Sequence, residues 1–267
     1  LQWAAALPPT PAAVLHYDFA NQSGTTVNDR IGSINLQMQP GNGAINWVTS
    51  ANGTGVEFVQ SASNGTAVIR TASPSDADSL LNALQASNAI TVQVYFEQSG
   101  GHSSGARLFS YSTNTNVNDR NFSVIGDPAG GGFDNWMRLR TSSGTFDDGP
   151  DDAWEAGEPT VVAFTYDEAA GNELTVYVNG ESVYSNTSSK SDFADWVSGG
   201  TRLGNELKLE RPVVGTIYDV KVWDQALSGA MLARNAAQLL PSEDDEPNEI
   251  AAYEFVESAP TPTLVGH

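Results

Sequence analysis

Residues 203–227 read LGNELKLERPVVGTIYDVKVWDQAL, and the second half of that stretch alternates. Tyr218, Val220 and Val222 fall on one side of an extended chain, and Ile217, Asp219, Lys221 and Trp223 on the other. A period of two in a run rich in β-branched and aromatic residues predicts a strand. Ser228 follows as a good N-cap for the Ala-rich run 229–240, which Pro241 closes. A late strand leading into a short helix is the element from which the rest of the chain can be placed.

Working outward, residues 161–166 and 174–178 are short β-rich runs joined by 167–172, and Asn179-Gly180 after them is a strong turn dipeptide. A second helical stretch is expected over 75–86, which opens Ser-Asp-Ala-Asp. Everywhere else strands recur between Gly, Asn, Ser and Asp. The chain has 267 residues, 40% of them hydrophobic, enough for two sheets to bury a core between inward-facing alternate residues.

The strand-and-helix ending resembles the C-terminal signature of laminin-G-like, concanavalin A-like jelly-roll domains. Three earlier segments carry the same resemblance in the expected order. Leu15-His16-Tyr17-Asp18-Phe19, with Asn28-Asp29-Arg30-Ile31-Gly32, looks like the opening strand and its Asp-x-x-Gly turn; Gly55-Val56-Glu57-Phe58 looks like the next strand; 163–167 and 174–180 look like the central hairpin. The resemblance implies an all-β, two-sheet antiparallel jelly-roll sandwich with one or two short helices. It is far less specific for function, since such sandwiches carry lectins, hydrolases, lyases and adhesion modules.

In that superfamily a calcium ion often sits on the convex side, held by backbone carbonyls near the first strand and an Asp of the last, with loop carbonyls and water completing its oxygens. Carried over to this chain, the Asp is Asp219, with Asp18 as its neighbour, and the implied cofactor is a structural calcium. The alternative is that Asp219 caps a turn or pairs with Lys221 or Arg30. The acidic run 146–154, FDDGPDDAW, is a second place where carboxylates cluster, but its spacing follows no calcium-loop motif and a solvated loop is the plainer reading.

Candidate ligand-binding residues come from alternation. Residues 91–97 put Val92, Val94 and Phe96 inward and Gln93, Tyr95 and Glu97 outward; residues 135–140 put Met137 and Leu139 inward and Trp136, Arg138 and Arg140 outward. If those strands are neighbours, Gln93, Tyr95, Trp136, Arg138 and Arg140 line one groove, where an aromatic ring stacks a sugar and guanidinium forks hold its carboxylate or sulfate. The alternative is an exposed face whose arginines pair with the abundant acids.

Catalytic motifs are missing. The Glu-x-Asp-x-x-Glu strand of retaining glucanases does not occur; Gln93-Val94-Tyr95 lacks the histidine of the alginate-lyase strand, and Arg138-Leu139-Arg140 echoes its arginine motif only partly. Of the three histidines, only His102, in a Gly-flanked loop, suits a base. There is no P-loop and no nucleophile elbow.

Without cysteine, disulfides and thiolate metal sites are excluded. Thirty-two acids against 12 Lys and Arg give a formal charge of −20, the wrong sign for nucleic acid or an anionic membrane surface. No run approaches the ~18 apolar residues of a membrane span, and residues 1–15 lack the basic start of a signal peptide. The two ends also resemble each other: Ala4, Ala5, Leu7 and Pro9 match Ala236, Ala237, Leu239 and Pro241, and 14–19 resembles 250–255. The expected organisation is therefore 1–13 a linker or the end of a preceding repeat, 14–240 the jelly roll, and 241–267 an acidic linker and the start of a following repeat. The functional expectation is a calcium-stabilised, non-catalytic carbohydrate-binding or adhesion module of a secreted or surface multidomain bacterial protein. Its expected partners are a polysaccharide or glycan and neighbouring domains of the same polypeptide. The alternatives are a structural spacer in a tandem array and a polysaccharide lyase or glycoside hydrolase.

Overall fold

Strands with one apolar row each must hide that row, and here two sheets hide theirs against one another. The computed structural model describes residues 8–20, 22–99, 105–113, 120–126, 137–150, 154–171, 173–187 and 191–241. Its strands in chain order begin with β1 (Leu15–Asp18), β2 (Thr26–Val27), β3 (Leu36–Gln39), β4 (Ala44–Ser50), β5 (Gly53–Val59) and β6 (Val68–Arg70). A 3-10 turn (Pro74–Ala77) leads into α1 (Asp78–Ser87), followed by β7 (Ala89–Gln98), β8 (Ala106–Ser112), β9 (Arg120–Gly126), β10 (Met137–Thr141) and β11 (Gly144–Asp148). Then come β12 (Pro159–Asp167), β13 (Glu173–Val178), β14 (Glu181–Asn186), β15 (Gly200–Leu203), β16 (Gly215–Trp223) and α2 (Gly229–Leu239).

The described strands form two eight-stranded antiparallel sheets. The first runs β14-β13-β12-β7-β16-β5-β4, with β1 also on β16; the second runs β11-β10-β9-β8-β15-β6-β3-β2. This is the expected two-sheet antiparallel sandwich with two short helices. Between the sheets lies one core, in which Phe122 makes ring contacts with Phe109, Tyr111, Phe164 and Trp196.

The deciding strand β16 differs from simple alternation at one point. Its register against β7 shifts between Ile217 and Asp219, a bulge that leaves Tyr218 as the extra residue. Ile217, Val220 and Val222 therefore face the core, while Tyr218 and Trp223 belong to clusters on the opposite side. The bulge has a structural reason: on its other edge β16 pairs with β5 through 215–217 and with β1 through 219–222, so the strand changes partner where it bends.

Helix α2 forms as its residues dictate. The Ser228 hydroxyl accepts the Met231 N–H, and the buried stripe Leu232, Asn235 and Ala236 faces the first sheet. Ala236 packs with Tyr95, Val161 and Tyr218, and Leu232 with Ala163, Trp223 and Leu227. The described part of the expected N-terminal linker is docked here too. Trp223 donates its indole N–H to the Pro11 carbonyl at 3.0 Å, Arg234 donates to the Pro8 carbonyl, and the Thr10 hydroxyl bonds Asn235. A buried indole needs an acceptor, and a Pro-rich strand that cannot pair in a sheet still offers carbonyls. Residues 1–7 and 242–267, where the repeat was expected, lie outside the described residues.

Candidate functional site: the outer face of the second sheet

Directly opposed residues in an antiparallel pair share a face. Following the register across the second sheet links Thr26, Gln37, Arg70, Arg202, Ser110, Ser123, Arg138 and Asp147, one from each strand. Every member of this row is polar. Its sequence neighbours Leu36, Ile69, Leu203, Phe109, Val124, Met137 and Phe146 all point into the core, so the row lies on the outer face. Three arginines and one carboxylate stand in it, in a chain whose formal charge is −20.

Arg202, Ser110, Ser123 and Arg138 in the middle of the row are buried, while Thr26, Gln37, Arg70 and Asp147 are partly exposed. Ser110 and Ser123 are each 1% exposed, yet neither hydroxyl has a hydrogen-bond partner among the described residues. Arg138, 9% exposed, donates through Nη2 to Asp147 across the β10–β11 pair, while its Nη1 has no partner. Arg202 is 6% exposed and donates through Nη1 to the Ser112 carbonyl, the Ser112 hydroxyl and the Gly200 carbonyl at 2.8–3.1 Å; its Nε has no partner. Glycine at 200 makes that placement possible, because a Cβ there would stand 2.6 Å from Thr71 Oγ1 and 3.4 Å from Arg202 Nη2. Buried donors and acceptors without partners are costly. Gln37 also lines a cleft of about 480 Å³ with Ser75 and Asp76, and Arg140 lines one of about 320 Å³ with Thr145 and Asp195.

The expected groove is not assembled. Gln93 and Tyr95 do point away from the core, as read, but on the first sheet, whereas Arg138 and Arg140 are on the second. The core separates the two outer faces. Gln93 and Tyr95 also lie beneath α2, where Asn235 reaches Gln93 and Ala236 packs on Tyr95. Burial raises the Tyr95 phenol well above its ordinary range, with Tyr218 and Glu97 adding to it. Arg140 stands 3.8 Å from Asp195, so both expected arginines face acids. Trp136 and His102 lie outside the described residues. In the acidic run, Asp147 is the partner of Arg138, and 151–153 lie outside. Sequence reasoning missed Arg70, Arg202, Ser110 and Ser123. β6 and β15 span only three and four residues, too short for a period, and a β8–β9 bulge between Arg107 and Phe109 interrupts the alternation just before Ser110.

Asp18 and Asp219, the expected calcium pair, are direct cross-strand partners. Nitrogen-bearing side chains surround them. His16 Nε2 lies 2.8 Å from Asp219 Oδ2, Lys221 Nζ 3.2 Å from Oδ1, and Arg30 Nε 3.6 Å from Asp18 Oδ2. The Ala20 N–H takes the other oxygen of Asp18. Calcium needs six to eight oxygens free of competing cations, and this set does not fit it. Among the described residues no three His, Cys, Asp or Glu side chains form a metal-holding group. No described helix is long and apolar enough to cross a membrane.

Comparison with known proteins gives a consistent picture of the fold. A family model described as the concanavalin A-like lectin/glucanases superfamily matches residues 71–233, more than half of the chain. Trypanosoma rangeli sialidase, solved with 2,3-difluorosialic acid, superposes with a TM-score of 0.60 at 15% identity over 85% of this chain. The chain spans only 33% of that sialidase. Domain 4 of AbnA, an extracellular GH43 arabinanase of Geobacillus stearothermophilus, was solved with arabinotriose; it superposes with a TM-score of 0.56 at 20% identity, covering 84% of this chain and 98% of that domain. No curated protein matches the sequence.

Proposed function

The chain belongs to the concanavalin A-like lectin/glucanase superfamily, and from that premise we propose that it is a non-catalytic carbohydrate-binding module whose ligand lies along the polar row of the second sheet. The observation that carries this reading is the row itself: eight same-face polar residues, in which Arg138 Nη1, Arg202 Nε and the Ser110 and Ser123 hydroxyls have no partner among the described residues. On the other outer face α2 and residues 8–13 cover Tyr95, Val161, Tyr218 and Trp223. Glycoside hydrolysis generally needs two carboxylates flanking one bond. The row supplies one, Asp147, and Arg138 already holds it. The arabinotriose-bound domain of similar fold supports the choice of ligand class, and its origin in an extracellular multidomain enzyme supports a secreted module working beside other domains.

Calorimetric titration against a panel of oligosaccharides tests the proposal. Binding should weaken at least tenfold in Arg138→Gln, the loss of one charge-assisted contact, and stay unchanged in Lys221→Gln on the opposite sheet. Absence of binding to every glycan favours the spacer reading instead. Release of unsaturated products from a polyuronate would favour the lyase.

A further inference from the structure

We infer that Arg70 and Arg202 form an oxyanion subsite within the row, built for the carboxylate or sulfate group of an anionic polysaccharide. This rests on the carbohydrate-binding reading above for its ligand, but not for its geometry.

The two guanidinium groups come from directly opposed residues of β6 and β15. Like charges facing each other across a sheet are destabilising, and burial makes the repulsion worse. The chain has acids to spare, 32 of them, and elsewhere it uses them. Arg30 faces Asp18, Arg107 faces Glu206, Arg138 faces Asp147 and Arg140 faces Asp195. Among the described residues Arg70 and Arg202 face no carboxylate. Arg70 is half-buried and makes no hydrogen bond or ion pair among the described residues. Arg202 is anchored by Nη1 alone, to three oxygens, which fixes the plane of its guanidinium. Its other edge, Nε with Nη2, carries no protein hydrogen bond, and that is the fork that meets two oxygens of a carboxylate or sulfate in parallel. Burial first, and then the Arg70 charge, press Arg202 down to about 10, so it stays protonated at neutral pH and waits for a counter-charge.

The test uses the whole chain and the variant Arg70→Gln, chosen because Arg70 anchors nothing else. Three titrants are compared: oligogalacturonate for the carboxylate, a sulfated oligosaccharide for the sulfate, and arabinotriose as the neutral control. In parallel, melting is followed in sodium sulfate and in sodium chloride at matched ionic strength. The expected result is roughly tenfold weaker binding of an acidic oligosaccharide in Arg70→Gln, with the neutral sugar unaffected. Arg70→Lys, which keeps charge but loses the fork, should fall between. Sulfate should raise the wild-type midpoint more than chloride does, and this excess should shrink in Arg70→Gln. Either Arg70-dependent response supports the subsite. If acidic oligosaccharides and sulfate both act equally on wild type and Arg70→Gln, the subsite is overturned, and binding of any glycan that Arg138→Gln weakens would leave the module reading standing. If sulfate alone acts through Arg70 and no glycan binds, the subsite stands and the carbohydrate reading falls.

Discussion

Asp219 shows how a single residue can keep its place and change its use. It sits opposite Asp18, where a calcium ligand was expected, yet its oxygens meet His16 and Lys221. An imidazole and an ammonium occupy the oxygens that a metal would otherwise use. Asp219→Ala should therefore cost about 1–3 kcal/mol, because it strands a partly buried ammonium beside an imidazole; urea denaturation at pH 7 measures it. By the same argument EDTA should leave the wild-type midpoint where it is, and a drop of several degrees would sink the account. The pairing with Lys221 was legible in the sequence as one of two options, since residues 219 and 221 share a face in any strand. Tyr218 was not legible. Alternation placed it on the same side as Val220 and Val222, and only the change of partner from β5 to β1 explains why one extra residue is accommodated there. Such information resides in distant strands, not in the local period.

At the level of elements, α2 carries the largest consequence. Its start, length and cap could be read from Ser228 and Pro241, but its docking place could not, because that depends on which sheet face presents a matching apolar patch. Hence Gln93 and Tyr95 were correctly turned outward and wrongly left uncovered. The docking is tight at the β13–β14 turn: Gly180 has φ +86°, and a Cβ there would lie 2.4 Å from the Ala233 Cα. Three substitutions should rank accordingly in denaturant midpoints. Ser228→Ala loses one cap and should cost about 1 kcal/mol. Leu232→Ala empties a site among Trp223, Leu227 and Ala163 and should cost about 2–5 kcal/mol. Gly180→Ala combines backbone strain with a clash against helix backbone, and should cost at least about 3 kcal/mol. If Gly180→Ala were no worse than Ser228→Ala, the helix would not be seated against that turn as described.

Across the whole molecule, charge and binding face pull in opposite directions. The sandwich was readable because many strands each repeat the same period, so errors in single strands average out. The binding row was not, because it runs perpendicular to the chain and takes one residue from each of eight strands. It concentrates three arginines in a chain of formal charge −20. Far from the surface an anionic polysaccharide feels the total charge and is repelled; within a few ångströms it feels Arg70, Arg138 and Arg202. Salt separates these ranges, since the screening length falls from about 30 Å at 0.01 M to about 8 Å at 0.15 M. Stopped-flow association with oligogalacturonate should therefore accelerate as sodium chloride rises over that interval, the reverse of ordinary electrostatic steering. Dissociation should accelerate less, because the contacts that hold the ligand are short and largely shielded from solvent ions. An association rate that fell with added salt would mean that the arginine row dominates the field at long range. The acidic surface would then play no part in deciding how the ligand arrives.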